Sequence, residues 1–196
     1  MNLVSLNQIL TSVEFFSVVF NVLFVIGIVR QKIWAWPFGI LGCGLAAWMF
    51  YSGALYAEAF LNIVYALLAV YGWISWGSAN NNVLIMLAKR NSFGIDSFYI
   101  TPYFIFLGCL SGVIMDLFTD NPLPYIDCTI AAMSILATIW QARKILENWF
   151  IWMVLNSFSI FIFINRDFNI YAVYSFLLLI MSIWGYQKWK KHAGEY

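Results

Sequence analysis

Residues 147–156 read ENWFIWMVLN, and 113 positions earlier, at 34–43, stands WAWPFGILGC. Each stretch is apolar, each carries an indole at its third position, and each follows a basic pair or near-pair (Arg30 and Lys32, Arg143 and Lys144). The match runs outward in both directions. At the same offset, 9–76 falls on 122–189 without a gap. Arg30 meets Arg143, Trp36 meets Trp149, Gly72 meets Gly185 and Trp76 meets Trp189. Glu14 meets Asp127, and Trp73 meets Tyr186. Aliphatic residues match one another cheaply, so the weight lies on these other pairs sharing one offset. The chain reads as a duplication.

The duplicated unit is built for lipid. Of 196 residues, 63% are hydrophobic, 20% aromatic and only 10% charged, against about 25% charged in a soluble domain. Such a chain cannot cover itself with a water-compatible surface, so an all-α integral membrane protein is expected. Apolar runs long enough for a helix of about 20 residues lie at about 9–29, 35–52, 56–76, 98–118, 123–141, 148–165 and 169–188. They are continuous, which excludes the alternation of a membrane barrel. The first run lacks a positive flank and a small-residue cleavage site, and reads as a retained span. Net charge is +1, so no nucleic-acid partner is indicated. Cys43, Cys109 and Cys128 form no CxxC, and the only histidine is His192. Neither a disulfide framework, a metal site nor a cofactor is expected.

Basic residues orient the spans. Arg30, Lys32, Lys89, Arg90, Arg143, Lys144, Lys188, Lys190 and Lys191 fall on one side of a seven-span chain, and Arg166 alone on the other. The expectation is an N-terminus outside and a C-terminus in the cytoplasm of a bacterial inner membrane. Glu14, Glu58, Asp116, Asp120, Asp127 and Asp167 lie in the outer half or outer loops, while Asp96, Glu147 and Glu195 lie inside. An acidic outer mouth concentrates cations. Glu14 and Asp127 fall within their spans, where a carboxylate is costly and usually functional.

Three spans per unit is an odd number, so a direct tandem copy would come out inverted. The fourth span restores the orientation. The expected organisation is 3+1+3: a three-helix bundle at 9–76, a cytoplasmic linker with a linker helix at 77–121, and a second bundle at 122–189. Parallel repeats of this kind are a transporter architecture, with SWEETs as an example, and place a substrate site near the midplane between the halves.

At that depth the chain carries polar and aromatic groups. Asn156 lies roughly 12 Å into span 6 by helical rise. Trp149 and Trp152 precede it at i, i+3 and i+7. Asn21 is central in span 1 and meets Ser134, and Asn62 in span 3 meets Ser175. Tyr65, Tyr171 and Tyr174 add hydroxyls. Any one amide is as well explained by helix–helix bonding. The set at one depth in both copies points to a ligand. Interfacial anchoring fits Trp36, Trp76 and Trp189 and is also open to Trp149. Trp152 lies a turn deeper, on the Asn156 side. An aromatic wall with an amide suits a flat polar ring, and a cationic ring gains about 0.5–2 kcal/mol per indole face.

The pattern Trp149-x-x-Trp152-x-x-x-Asn156 resembles the WxxWxxxN/D motif of PnuC-type vitamin transporters. The resemblance extends to WPFGI (36–40), LYAEAFLNIVYALLAVYGW (55–73) and IWGYQKWKK (183–191). It implies uptake of nicotinamide riboside or, in related members, thiamine or another vitamin, by facilitated diffusion with trapping by phosphorylation. It also implies a SWEET-like fold, a homotrimer, and substrate contacts at Trp149, Trp152 and Asn156, with Asn62, Asn21, Tyr65 and Tyr174 as further candidates. Where relatives carry Gln in span 3, this chain has Asn62, one methylene shorter. Position 39 is Gly where 152 is Trp, and 43 is Cys where 156 is Asn, so an asymmetric pocket is expected.

Other classes fit less well. An intramembrane enzyme needs an activated nucleophile or paired acids, but no span holds a histidine, and Asp116 and Asp127 lie toward the outer edge. A proton-coupled carrier would use Glu14 and Asp127 as coupling acids. A purely structural membrane protein would not need the buried amides.

Overall fold

In the computed structural model the described backbone covers residues 3–53, 55–78, 95–119, 122–165 and 169–194, and side-chain environments are described for 12–53, 55–78, 100–119, 122–165 and 172–191. The expected linker core at 79–94, including Lys89 and Arg90, lies outside the described residues, as do Asp120, Arg166, Asp167 and Glu195 and the side chains of Asp96, Tyr171 and His192. Among the described residues there are seven α-helices: α1 Leu3–Val29, α2 Ala35–Ser52, α3 Tyr56–Ser78, α4 Ile95–Phe118, α5 Pro124–Ala142, α6 Asn148–Asn165 and α7 Asn169–Gly194. Five of them, α1, α3, α4, α5 and α6, are long and apolar enough to cross a membrane. The other two are diluted. α2 has Gly39, Gly42 and Gly44 within 18 residues, and α7 ends among Lys188, Lys190 and Lys191. Apolar side chains such as Phe106, Leu117, Phe118 and Phe161 project outward, as hydrocarbon solvent allows.

The chain divides into two compact units, Met1–Ser78 and Ala79–Tyr196. In the first, α2 packs against both α1 and α3. In the second, α6 packs against both α5 and α7, and α4 lies along α5. Gly108 and Gly112 make the α4–α5 approach possible. A Cβ on either would come within 2.6 Å of Thr129 Cα or 2.8 Å of Tyr125 Cα. This is the small-xxx-small device of membrane helices, and its spacing is plain in GCLSG at 108–112.

The two units share the same cap bonds and the same first two helix-starting bonds. α1 ends with the Gln31 N–H donating to Ile28 O (2.9 Å) and the Lys32 N–H to Gly27 O (2.9 Å). α5 ends with the Lys144 N–H donating to Gln141 O (3.1 Å) and the Ile145 N–H to Trp140 O (2.9 Å). Both are Schellman caps, which need a left-handed residue just past the helix. Gln31 (φ 53°) and Lys144 (φ 55°) take that role, although neither is the glycine that would enter this region without strain. After each cap, two further bonds start the next helix: Ala35 N to Lys32 O and Trp36 N to Ile33 O, then Asn148 N to Ile145 O and Trp149 N to Leu146 O.

One aromatic lock recurs too. Trp36 is fully buried against Gly72, where a Cβ would lie 2.4 Å from the indole, and meets Trp76 edge to face at 5.2 Å. Trp149 is buried against Gly185, with the same atom 2.5 Å away, and meets Trp189 edge to face at 5.3 Å. An edge-to-face pair contributes about 0.5–1.5 kcal/mol beyond its buried area. Trp36, Trp76, Trp149 and Trp189 are thus buried inside their units, and membrane-interface anchoring does not account for them.

Candidate functional site

α6 carries the sequence's strongest functional pattern, and the structure divides it between two neighbours. Asn156 is buried, and its Nδ2 donates to Ser182 Oγ on α7 (3.4 Å). Ser182 in turn donates to Leu178 O (2.8 Å). Trp149, seven residues before Asn156, also faces α7 through Gly185 and Trp189. Residues seven apart on a helix differ by only about 20° in direction. Trp152 is turned about 60° from Trp149 and packs against the cluster of Leu136, Ala137 and Trp140 from α5 with Ile151 and Leu155. Its Nε1–H is enclosed and donates no hydrogen bond.

The other candidates sit in local arrangements. In the first unit, Asn21 lies over Gly42, where a Cβ would be 2.9 Å from Oδ1, and Oδ1 accepts a long contact from Cys43 Sγ (4.0 Å). Ser17 Oγ donates to Gly42 O (2.9 Å) one turn away. Polar groups therefore gather at position 43, the counterpart of 156, but the amide arrives from α1. Asn62 donates from Nδ2 to Glu58 O (2.9 Å) on its own helix. Tyr65 on α3 is half-buried, as is Tyr174 on α7 in the second unit. Ser134 and Ser175 are buried, and Ser134 Oγ donates to Ile130 O (2.8 Å). Glu14 is exposed on α1, and Asp127 lies half-buried in the first turn of α5.

Three features escaped the sequence reading. Ser182 is one; its signal was the spacing of seven from Ser175 and the seven to Trp189. The second is the turn between α5 and α6, where Gln141, Lys144, Glu147 and Asn148 are all buried. Burial pushes the Lys144 ammonium below its ordinary pKa, since low dielectric disfavours the charged form. The third is Asn148 itself. It is fully enclosed, its Nδ2 donates to Ile145 O, and its Oδ1 accepts no hydrogen bond.

Chemically, the second unit presents an indole flanked on one helix by buried amides. It has hydrogen-bonding capacity in both directions and, among the described residues, no buried Arg or Lys within a helix. The described Arg and Lys residues, Arg30, Lys32, Arg143, Lys144, Lys188, Lys190 and Lys191, stand at helix ends or in turns.

Comparison with known proteins follows the same lines. The family model described as nicotinamide mononucleotide transporter matches residues 11–191. The nicotinamide riboside transporter PnuC of Escherichia coli (strain K12) is 26% identical over 189 residues, covering 84% of this chain and 79% of that one. The riboflavin/roseoflavin transporter RibM of Streptomyces davaonensis is 25% identical over 169 residues, covering 82% and 76%. Among solved structures, the crystal structure of the vitamin B3 transporter PnuC superposes with a TM-score of 0.64 at 20% identity, covering 94% of this chain and 83% of that one. At that identity the likeness establishes the fold.

Proposed function

The chain belongs to the nicotinamide mononucleotide transporter family of multi-pass membrane proteins, and on that premise we propose that it imports nicotinamide riboside by facilitated diffusion, with phosphorylation inside the cell trapping the product. The observation that carries this reading is the asymmetry of the two copies. Gly39 and Cys43 in α2 stand where α6 has Trp152 and Asn156, and the two helices are entered through turns with matching backbone bonds. A flat cationic ring lies well on an indole, and a ribose diol can both accept from and donate to a buried amide. Trp152 and Asn156 serve as direct contacts. Trp149 supports them from beneath, and Asn62, Asn21, Tyr65 and Tyr174 complete the recognition set.

The architecture proposed is the 3+1+3 parallel repeat of a SWEET-like carrier, with bundles at 9–76 and 122–189, all seven helices spanning, and 77–121 joining them. The recurrent caps and tryptophan–glycine contacts support it. The distribution of arginine and lysine supports an N-terminus outside and a C-terminus in the cytoplasm, and the bacterial relatives support the inner membrane; the homotrimer is part of the proposal and rests on the family resemblance alone. The absence of cations from the described helix interiors favours the nucleoside over its 5′-phosphate, which would demand a partner for its charge.

The test is a binding titration of the purified protein with nicotinamide riboside, its 5′-phosphate, thiamine and riboflavin, followed by uptake into liposomes with and without a protonophore. The expected outcome is preference for the riboside by at least about tenfold, or ~1.4 kcal/mol, and uptake that equilibrates regardless of protonophore. Equal affinity for the mononucleotide, or tighter thiamine or riboflavin binding, would replace the substrate. Protonophore-sensitive accumulation would replace the mechanism by a proton-coupled carrier using Glu14 and Asp127.

Asn62 tests selectivity separately. As asparagine it is occupied by the Glu58 carbonyl of its own helix. One added methylene lets the amide reach away from that carbonyl. Asn62→Gln is expected to change the riboside-to-thiamine affinity ratio by about fivefold, the worth of one ordinary hydrogen bond. An unchanged ratio in parallel titrations would remove Asn62 from the discriminating set.

A further inference from the structure

Three positions spaced four apart on α2 hold Ala35, Gly39 and Cys43; their counterparts on α6 are Asn148, Trp152 and Asn156. Every member of a stripe of small residues has been replaced by a group able to hydrogen-bond through its side chain. The last two replacements form the proposed site. The first has no role yet.

The fold does not require it. Ala35 and Asn148 are both fully buried (0% exposed), each following a turn with the same two helix-starting bonds. A methyl group therefore suffices to pack that place. The amide adds an enclosed Oδ1 with no hydrogen bond, a costly state that calls for an explanation. One turn along the same stripe, the Trp152 Nε1–H is enclosed and also unbonded. Trp36 and Trp149 leave their N–H groups unbonded as well, but those rings are held by Gly72 with Trp76 and by Gly185 with Trp189, so packing accounts for them. Asn148 and Trp152 have no glycine seat of that kind.

Resting on the nicotinamide riboside reading, we propose that Asn148 is a further specificity-determining residue, which reads the substrate's carboxamide together with Trp152. The residues that carry this acceptor and this donor lie four apart on the helix, a rise of about 6 Å along its axis. A primary carboxamide offers the complement on one rigid plane: its NH2 donates to Asn148 Oδ1 and its carbonyl accepts from Trp152 Nε1–H. The pyridinium ring then lies along Trp152, and the ribose extends toward Asn156, eight residues and about 12 Å up the same stripe. Both atoms are shut off from solvent, so ligand exchange requires the α5–α6 turn to move, as alternating access requires at one end of the path. A carboxylate in place of the carboxamide has no N–H to give. It also brings a negative charge toward Asn148 Oδ1 beside the buried Glu147.

The experiment titrates the full-length wild type and Asn148→Ala with three ligands: nicotinamide riboside, its carboxylate counterpart, and the N,N-dimethylcarboxamide analogue. Wild type is expected to bind the riboside at least tenfold more tightly than either analogue. Asn148→Ala, which installs the residue the first copy already tolerates, is expected to weaken the riboside alone and erase the preference. Equal binding of all three ligands by the wild type overturns the inference while leaving riboside transport in place. So does retention of the full preference, or equal weakening of all three ligands, in Asn148→Ala. No riboside binding by the wild type overturns the transport reading and this inference together. The wild-type comparison stands even where the variant does not fold.

Discussion

Trp152→Ala is expected to weaken nicotinamide riboside binding by a hundredfold or more, and Asn156→Ala by about thirtyfold, both in protein that still folds. The first figure combines a lost cation–π face with the loss of a large apolar wall, together about 3 kcal/mol. The second is the loss of one buried hydrogen-bonding amide, about 2 kcal/mol. Folding is spared for different reasons in the two cases. Trp152 is only part-buried at the edge of the Leu136 cluster, and the first unit has Gly39 at the corresponding position, with the Phe24 ring against it. Asn156 gives up a single 3.4 Å bond to Ser182, whose hydroxyl stays satisfied by Leu178 O. Bonds of this kind between membrane helices average about 0.6 kcal/mol. Titration and a melting curve on the same preparations separate the effects. Unchanged affinity in both variants would move the binding site off α6, and Trp152→Phe, which keeps an aromatic face, should fall between wild type and alanine.

Gly185→Val is expected to act in the opposite way, through stability. A Cβ there would stand 2.5 Å from the Trp149 ring, and Trp149 is buried with no free side to retreat toward. Overpacking of this kind costs about 1–3 kcal/mol, read as a lowered melting temperature in detergent. Gly72→Val should cost as much, since its Cβ would lie 2.4 Å from Trp36. Gly44→Ala is the control: nothing lies within 4 Å of the added methyl, and within a helix alanine is favoured over glycine by about 1 kcal/mol. If Gly185→Val melts with the wild type while Gly44→Ala does not, the tryptophan–glycine lock is not what holds α6 to α7.

The division between these predictions runs through the WxxWxxxN pattern. Linear spacing put Trp149, Trp152 and Asn156 near one side of a helix, and α6 and α2 begin and end where the apolar runs do. Helical periodicity states direction about one axis, and directions 60° apart look alike until the neighbours are known. Here α7 takes Trp149 and Asn156 while α5 takes Trp152. Asn62 shows the same limit. An amide in a span announces that it needs a partner, but the partner proved to be a carbonyl four residues back, which no pattern distinguishes from a ligand.

Helix count, membrane class and the offset of 113 were legible in the chain because they rest on run length, charge and identity, which are properties of sequence alone. The Schellman caps at Gln31 and Lys144 were not, since neither residue favours a positive φ and only the surrounding bonds hold it there. Nor was the burial of Asn148. It stands at the start of α6 next to charged residues, where a sequence reading expects a solvated helix end. Packing against the turn encloses it instead. Local composition sets what a residue is able to bond, whereas the neighbours brought by folding set whether that capacity is spent within the protein or left for a ligand.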